Sequence, residues 1–141
     1  MILLASGTNK VDLTLTEKTT ISPVYYVFVF INVITGLKIA CYAPDTSSFK
    51  DRYNRFSLTQ VASSPDPLNG ELVLVNGFYD YYVFEYTLAQ KNNFIFANVD
   101  NIADVTQLGN IVEQGKMLYE FSTPVYNNYV NDKTSIKEYA G

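Results

Sequence analysis

The sequence predicts an all-β fold. Three observations predict it. Apolar and polar residues alternate with period two in several stretches, as half-buried strands require. Aromatic and β-branched residues, which suit a pleated surface, fill the longest apolar runs, with 12 Tyr and 9 Phe in 141 residues. Clusters of Pro, Asn, Gly and Ser divide these runs at the places where a chain reverses. The arrangement expected from them is one antiparallel β-sandwich of about seven strands, immunoglobulin-like or jelly-roll-like.

The elements follow in order. Residues 11–16 (Val-Asp-Leu-Thr-Leu-Thr) alternate and form a half-buried strand, ended by Ser22-Pro23. Residues 24–31 are β-branched and aromatic throughout, which favours a central strand over a buried helix. Thr35-Gly36 marks a turn, and residues 37–42 return. With a two-residue loop there, Phe28, Phe30, Ile34, Leu37, Ile39 and Cys41 share one apolar face. Residues 43–48 are a loop. Residues 49–55 hold Lys50, Arg52 and Arg55, the most basic patch in the chain, which either meets an acidic partner or forms a solvated edge.

Residues 56–59 alternate again, and 63–70 are a turn cluster. Residues 71–75 and 78–86 are two strands around Asn76-Gly77, a strong hairpin signal. The order Leu74, Gly77, Tyr79, Tyr81, Val83 also fits a tyrosine corner, in which a Tyr hydroxyl ties a strand start to its incoming loop. Residues 90–110 are the least regular, punctuated by Asn92, Asn93, Asn98, Asn101 and Asn110. Within them 94–96 reads as a short strand and 102–105 as one helical turn. Residues 112–121 are the last strand, with Gly115 as a bulge position. The domain is therefore expected over 1–121. Residues 122–141 are expected to be an extended arm, since Pro124 and several Asn interrupt any ladder. Tyr126, Tyr129, Val130 and Tyr139 give that arm apolar surface for a neighbour.

Composition narrows the function. Only 17% of residues are charged, against roughly 25% in ordinary soluble domains, so part of the surface is expected to be covered by neighbours. The net charge of −4 and the lack of a basic stripe exclude a free-standing nucleic-acid binder. With one Cys and no His, the chain has no intrachain disulfide and no zinc site of the usual kind. Cys41 reads as a small core residue. No phosphate loop, dinucleotide-binding glycine pattern or His-based nucleophile occurs, so no catalytic residue, cofactor or metal is expected. Asp80 and Glu85 stand an odd number apart on one strand and face opposite ways, which rules out a glycosidase pair there. Glu85 sits among bulky apolar residues. It either takes Arg52 or Arg55 as a partner, pinning a loop to the sheet, or faces water. No apolar run approaches the ~20 residues of a membrane-crossing helix. Residues 1–7 are too short and lack the cationic start of a secretory signal.

Read together, residues 24–30, 51–56 (Asp-Arg-Tyr-Asn-Arg-Phe), 68–70 (Leu-Asn-Gly), 76–85 and 113–116 (Glu-Gln-Gly-Lys) resemble a group of small uncharacterised structural proteins of tailed bacteriophages, of the Bacteroidetes-type, crAss-like kind. The resemblance covers roughly residues 24–118. This chain departs from it in having Tyr79 where the group has Trp, in the Asn-rich insert and in the Tyr-bearing terminus. The resemblance implies a virion protein made in the host cytoplasm, and carries over no functional residue. The function expected is non-enzymatic: a capsid-associated, decorating subunit. It would assemble with other virion proteins or copies of itself through strand edges, Tyr contacts and terminal arms. The partners exclude a membrane and sequence-specific nucleic acid. The alternatives are a tail or neck component, or a glycan- or surface-binding module using Tyr and Asn on loops.

Overall fold

The computed structural model describes residues 1–120. They form eight strands: β1 (Ile2–Leu4), β2 (Gly7–Leu13), β3 (Tyr25–Asn32), β4 (Lys38–Tyr42), β5 (Asn54–Gln60), β6 (Glu71–Leu72), β7 (Gly77–Tyr86) and β8 (Asn110–Tyr119). One short helix, α1 (Leu88–Asn93), and four 3-10 turns complete the elements. The fold is all-β, in two sheets. The larger has the order β1-β8-β7-β3-β4, and the smaller β2-β5-β6. The expectation of purely antiparallel pairing needs correcting, because β1 runs parallel to β8 and β6 parallel to β5. The cause lies in the connections: β1 leaves for the smaller sheet as β2 instead of turning back beside a neighbour, and residues 61–70 carry the chain back along β5 before β6 begins. β1 pairs with the last strand and not with a sequence neighbour, while β6 pairs with β5, the strand before it, but in the same direction.

The main core lies between the sheets. Phe28, Phe30, Cys41, Tyr79, Val83 and Met117 of the larger sheet meet Val11, Phe56, Leu58 and Leu72 of the smaller. Phe56 stands edge-on to Phe28, with ring centroids 4.9 Å apart, the geometry the ring quadrupoles favour. Cys41 is fully buried, as its apolar neighbours suggest, and burial pushes its thiol pKa far up.

The β3–β4 hairpin keeps its expected faces but not its expected loop. Phe30 opposes Ile39 and Phe28 opposes Cys41. Residues 33–37 form the turn, and Ile34 and Leu37 are exposed. Asn32, buried at the strand end, decides this: its Oδ1 accepts the Ile34 and Thr35 amides, both at 2.9 Å. The pairing therefore slips by two residues, and a two-residue slip leaves every side chain on its face.

The Asn76-Gly77 hairpin does not form. Residues 71–72 pair with β5 in the smaller sheet, while β7 starts in the larger, so Asn76-Gly77 is a crossing between sheets. Gly77 takes φ +141°, a conformation glycine permits without strain. The tyrosine corner does form. The Tyr79 hydroxyl accepts the Val75 amide at 3.0 Å and donates to the Val75 carbonyl at 2.9 Å. The bulge in β8 falls at Val112, where the register against β7 shifts, not at Gly115. Gly115 instead leaves room for the Tyr81 ring, which a Cβ there would meet at 3.0 Å.

Residues 94–96 are not a strand. The segment between β7 and β8 is α1 followed by 3-10 turns, and it lies on the outer face of the larger sheet. Phe94, Phe96, Val99, Ile102, Val105 and Leu108 pack there against Val27, Val29, Phe84 and Tyr86. The molecule thus has a third layer over part of one sheet. Thr87 starts α1 with a capping box, its side chain and that of Gln90 each accepting the other's backbone amide.

Candidate functional site

Three connections leave the same end of the two sheets: residues 14–24, 43–53 and 87–109. Their polar side chains are tied to one another. Asn54, fully buried at the start of β5, accepts the Leu15 amide at 2.7 Å and donates to Asp45 at 2.7 Å and Thr16 at 3.1 Å. Asp45 also accepts the Ser47 and Arg55 amides. A cleft of about 450 Å³ opens beside them, lined in part by Thr19, Tyr26, Tyr42, Pro44 and Lys50. The Tyr26 hydroxyl bonds Thr19 at 2.8 Å, and burial raises its pKa. Lys50 donates to the Asp45 and Ser47 carbonyls. The cleft's hydrogen-bonding groups are largely occupied by one another, so they serve the loops before any ligand.

Glu85 belongs to the same end, and the structure corrects both sequence expectations for it. It is 4% exposed, so it does not face water. Its partners are neutral: the Thr20 amide at 2.7 Å, the Thr20 hydroxyl at 2.8 Å and the Asn110 side-chain amide. Burial pushes its pKa up, but these donors, with the Ile21 amide, outweigh burial and hold it below the ordinary glutamate value. The pinning of a loop to the sheet is real, but the loop is 14–24. Arg55 is occupied elsewhere. It makes a two-pronged pair with Asp12 across β2 and β5, at 2.7 and 2.9 Å, which lowers the Asp12 pKa. The Arg55 guanidinium also lies 5.2 Å from the centre of the Tyr53 ring. Arg52 is exposed.

At the edge where β1 and β2 diverge, a smaller opening of about 280 Å³ is lined by Lys10, Asp12, Tyr81 and Glu113. Glu113 accepts the Tyr81 hydroxyl at 3.2 Å and pairs with Lys18. Burial and the Glu113 carboxylate together push the Tyr81 pKa up to about 12, so its proton stays in place at neutral pH. Among the described residues, no group of three or more His, Cys, Asp or Glu stands together as a metal site would require. No helix among them is long and apolar enough to cross a membrane.

The third layer leaves one end of the larger sheet bare. Register aligns Leu3 with Leu118 and Leu118 with Phe78, and the Val33 amide donates to the Phe78 carbonyl at 3.0 Å. These four side chains share the outer face, since the alternate residues Leu4, Met117, Tyr79 and Asn32 are buried inward. Leu3, Phe78 and Val33 are 50%, 54% and 50% exposed, and Ile34 beside them 87%. The next row along the strands is Lys116, Asp80 and Ile31, with Lys116 paired to Asp80. The backbone of Glu120 donates to the Leu4 carbonyl, so the chain leaves the described fold at this same end.

Sequence reasoning missed this row, because each member is a single apolar residue far in sequence from the others. Only strand register brings them together. Of the residues expected at an interface, Tyr126, Tyr129, Val130 and Tyr139 lie outside the described residues, and Arg52 and Arg55 lie far from the row, toward the loop-bearing end. No family model, curated protein or solved structure matches the chain.

Proposed function

We propose that this chain is a non-enzymatic structural protein of a tailed bacteriophage particle, a capsid-associated subunit that acts by assembly. The observation that carries the assembly reading is the bare apolar row that crosses β1, β8 and β7 and runs into the β3–β4 turn. The largest apolar patch on a protein is often where it meets a partner, and this row is of that size. The low charge content points the same way. The assignment to a phage particle rests on the sequence resemblance across residues 24–118. Weak contacts suffice when a symmetric shell repeats them.

The finer fold reading is an immunoglobulin-like sandwich. Two features support it: the tyrosine corner at the start of β7, and a first strand that runs parallel to the last in one sheet and then crosses to the other.

The test is to band particles on a density gradient and quantify this chain by mass spectrometry. The proposal expects the chain at a fixed ratio to the major head protein. Its absence from banded particles would overturn the phage-particle reading. A second reading, a glycan-binding module, draws on the cleft beside Tyr26 and Tyr42. Retention on a glycan array that Tyr42→Ala abolishes would favour that reading.

A further inference from the structure

We infer that the bare end of the larger sheet binds a second copy of this chain, face to face about a two-fold axis. The inference rests on the assembly reading and names its partner. Leu3, Phe78, Val33 and Ile34, with half-buried Leu118 between them, expose on the order of 400 Å², the scale of the largest patch on a monomer. With a polar rim, this approaches the ~800 Å² that each partner gives to a standard interface.

Beside the row stand one acid on β7, Asp80, and one base on β8, Lys116. A two-fold axis lying in the contact plane, parallel to the strands and midway between β7 and β8, superposes β7 of one copy on β8 of the other. Asp80 then faces Lys116 of the second copy, Phe78 faces Leu118, and Val33 faces Leu3. The face is complementary to itself in this orientation. An axis along the row would give no such match. A foreign partner would need to supply the same arrangement by coincidence, whereas symmetry supplies it automatically.

The geometry makes a specific forecast. Facing sheets stand ~10 Å apart, too far for a direct disulfide but within reach of a short bis-maleimide linker. Copies of one position at the row's ends are separated sideways by three strand spacings, ~14 Å, in addition. Cys41 is buried and does not compete. So a mixture of full-length Leu3→Cys and Val33→Cys should give a linked dimer. Each variant alone should give little, and Asn98→Cys, on the exposed side of the third layer, none. No dimer in the mixture, or equal linking by Asn98→Cys, would overturn the inference. So would a dimer that appears only after residues 123–141 are deleted, since the chain's own terminus would then be the occupant. Linking without presence in banded particles would sink the phage reading alone. Presence in particles without linking would sink only the dimer.

Discussion

A carboxylate inside a sheet is tolerated only when donors replace the water it loses. Glu85 has them from Thr20 and Asn110. Its pKa is held below the ordinary 4.5, so the folded state favours the ionised form. The stabilisation from that preference is complete above the unfolded pKa and is lost as pH falls through the folded one. Glu85→Gln should therefore lower stability at neutral pH by roughly 1–2 kcal/mol. Thermal melts from neutral pH to below 4.5 should also show a smaller acid-side loss in the variant than in the parent. Equal losses would place the acid sensitivity elsewhere. Tyr79 offers a cleaner deletion, because Tyr79→Phe keeps the ring and removes only the hydroxyl that both accepts from and donates to Val75. Denaturant unfolding should show a loss of about 1–2 kcal/mol with an unchanged slope. This corner was legible in the sequence, since a Tyr two residues after a glycine at a strand start has a specific mechanical role. The partners of Glu85 were not, because Thr20 and Asn110 are distant polar residues with nothing in the sequence to single them out.

At the scale of elements, the central strands were the most legible. β3 pairs with β7 along the whole length of β3, and both are apolar or aromatic at nearly every position. Their composition therefore leaves little alternative to a buried strand. The segment after β7 follows a period that neither strands nor α-helices share. Phe96, Val99, Ile102, Val105 and Leu108 recur every third residue, a spacing that the 3-10 turns at 96–101 and 105–107 set and that neither a strand nor an α-helix gives. The many Asn residues of that segment belong to its wet side. Asn76-Gly77 failed as a hairpin signal because a glycine that allows a reversal also allows a crossing between sheets, and local sequence does not distinguish them. Gly70 is the more constrained glycine. It has φ +72°, and a Cβ there would stand 2.5 Å from the Ser57 carbonyl oxygen. Its own carbonyl accepts the Thr59 amide, which starts the β5–β6 pairing. Gly70→Ala should cost more than ~1 kcal/mol in chemical unfolding, because backbone and not a flexible side chain must move. A neutral substitution would mean that the β6 crossover is loosely held.

On the scale of the whole molecule, the two ends differ in kind. One carries long loops whose polar groups satisfy each other around Asn54, Asp45 and Glu85. The other carries a hairpin tip, a bare stretch of sheet and the exit of the chain at Glu120. Burial of the apolar end against a neighbour would take the exposed half of Phe78 out of water, worth about 1–1.5 kcal/mol. Introducing a charge at that position would oppose the contact while leaving the core untouched. Sedimentation velocity of the full chain across a wide concentration range, with the Phe78→Glu variant alongside, tests this most directly. The parent should shift from monomer toward dimer as concentration rises, and Phe78→Glu should stay monomeric with the same melting temperature. A parent that remains monomeric throughout, or a variant that associates equally well, would contradict the assignment of this face to assembly.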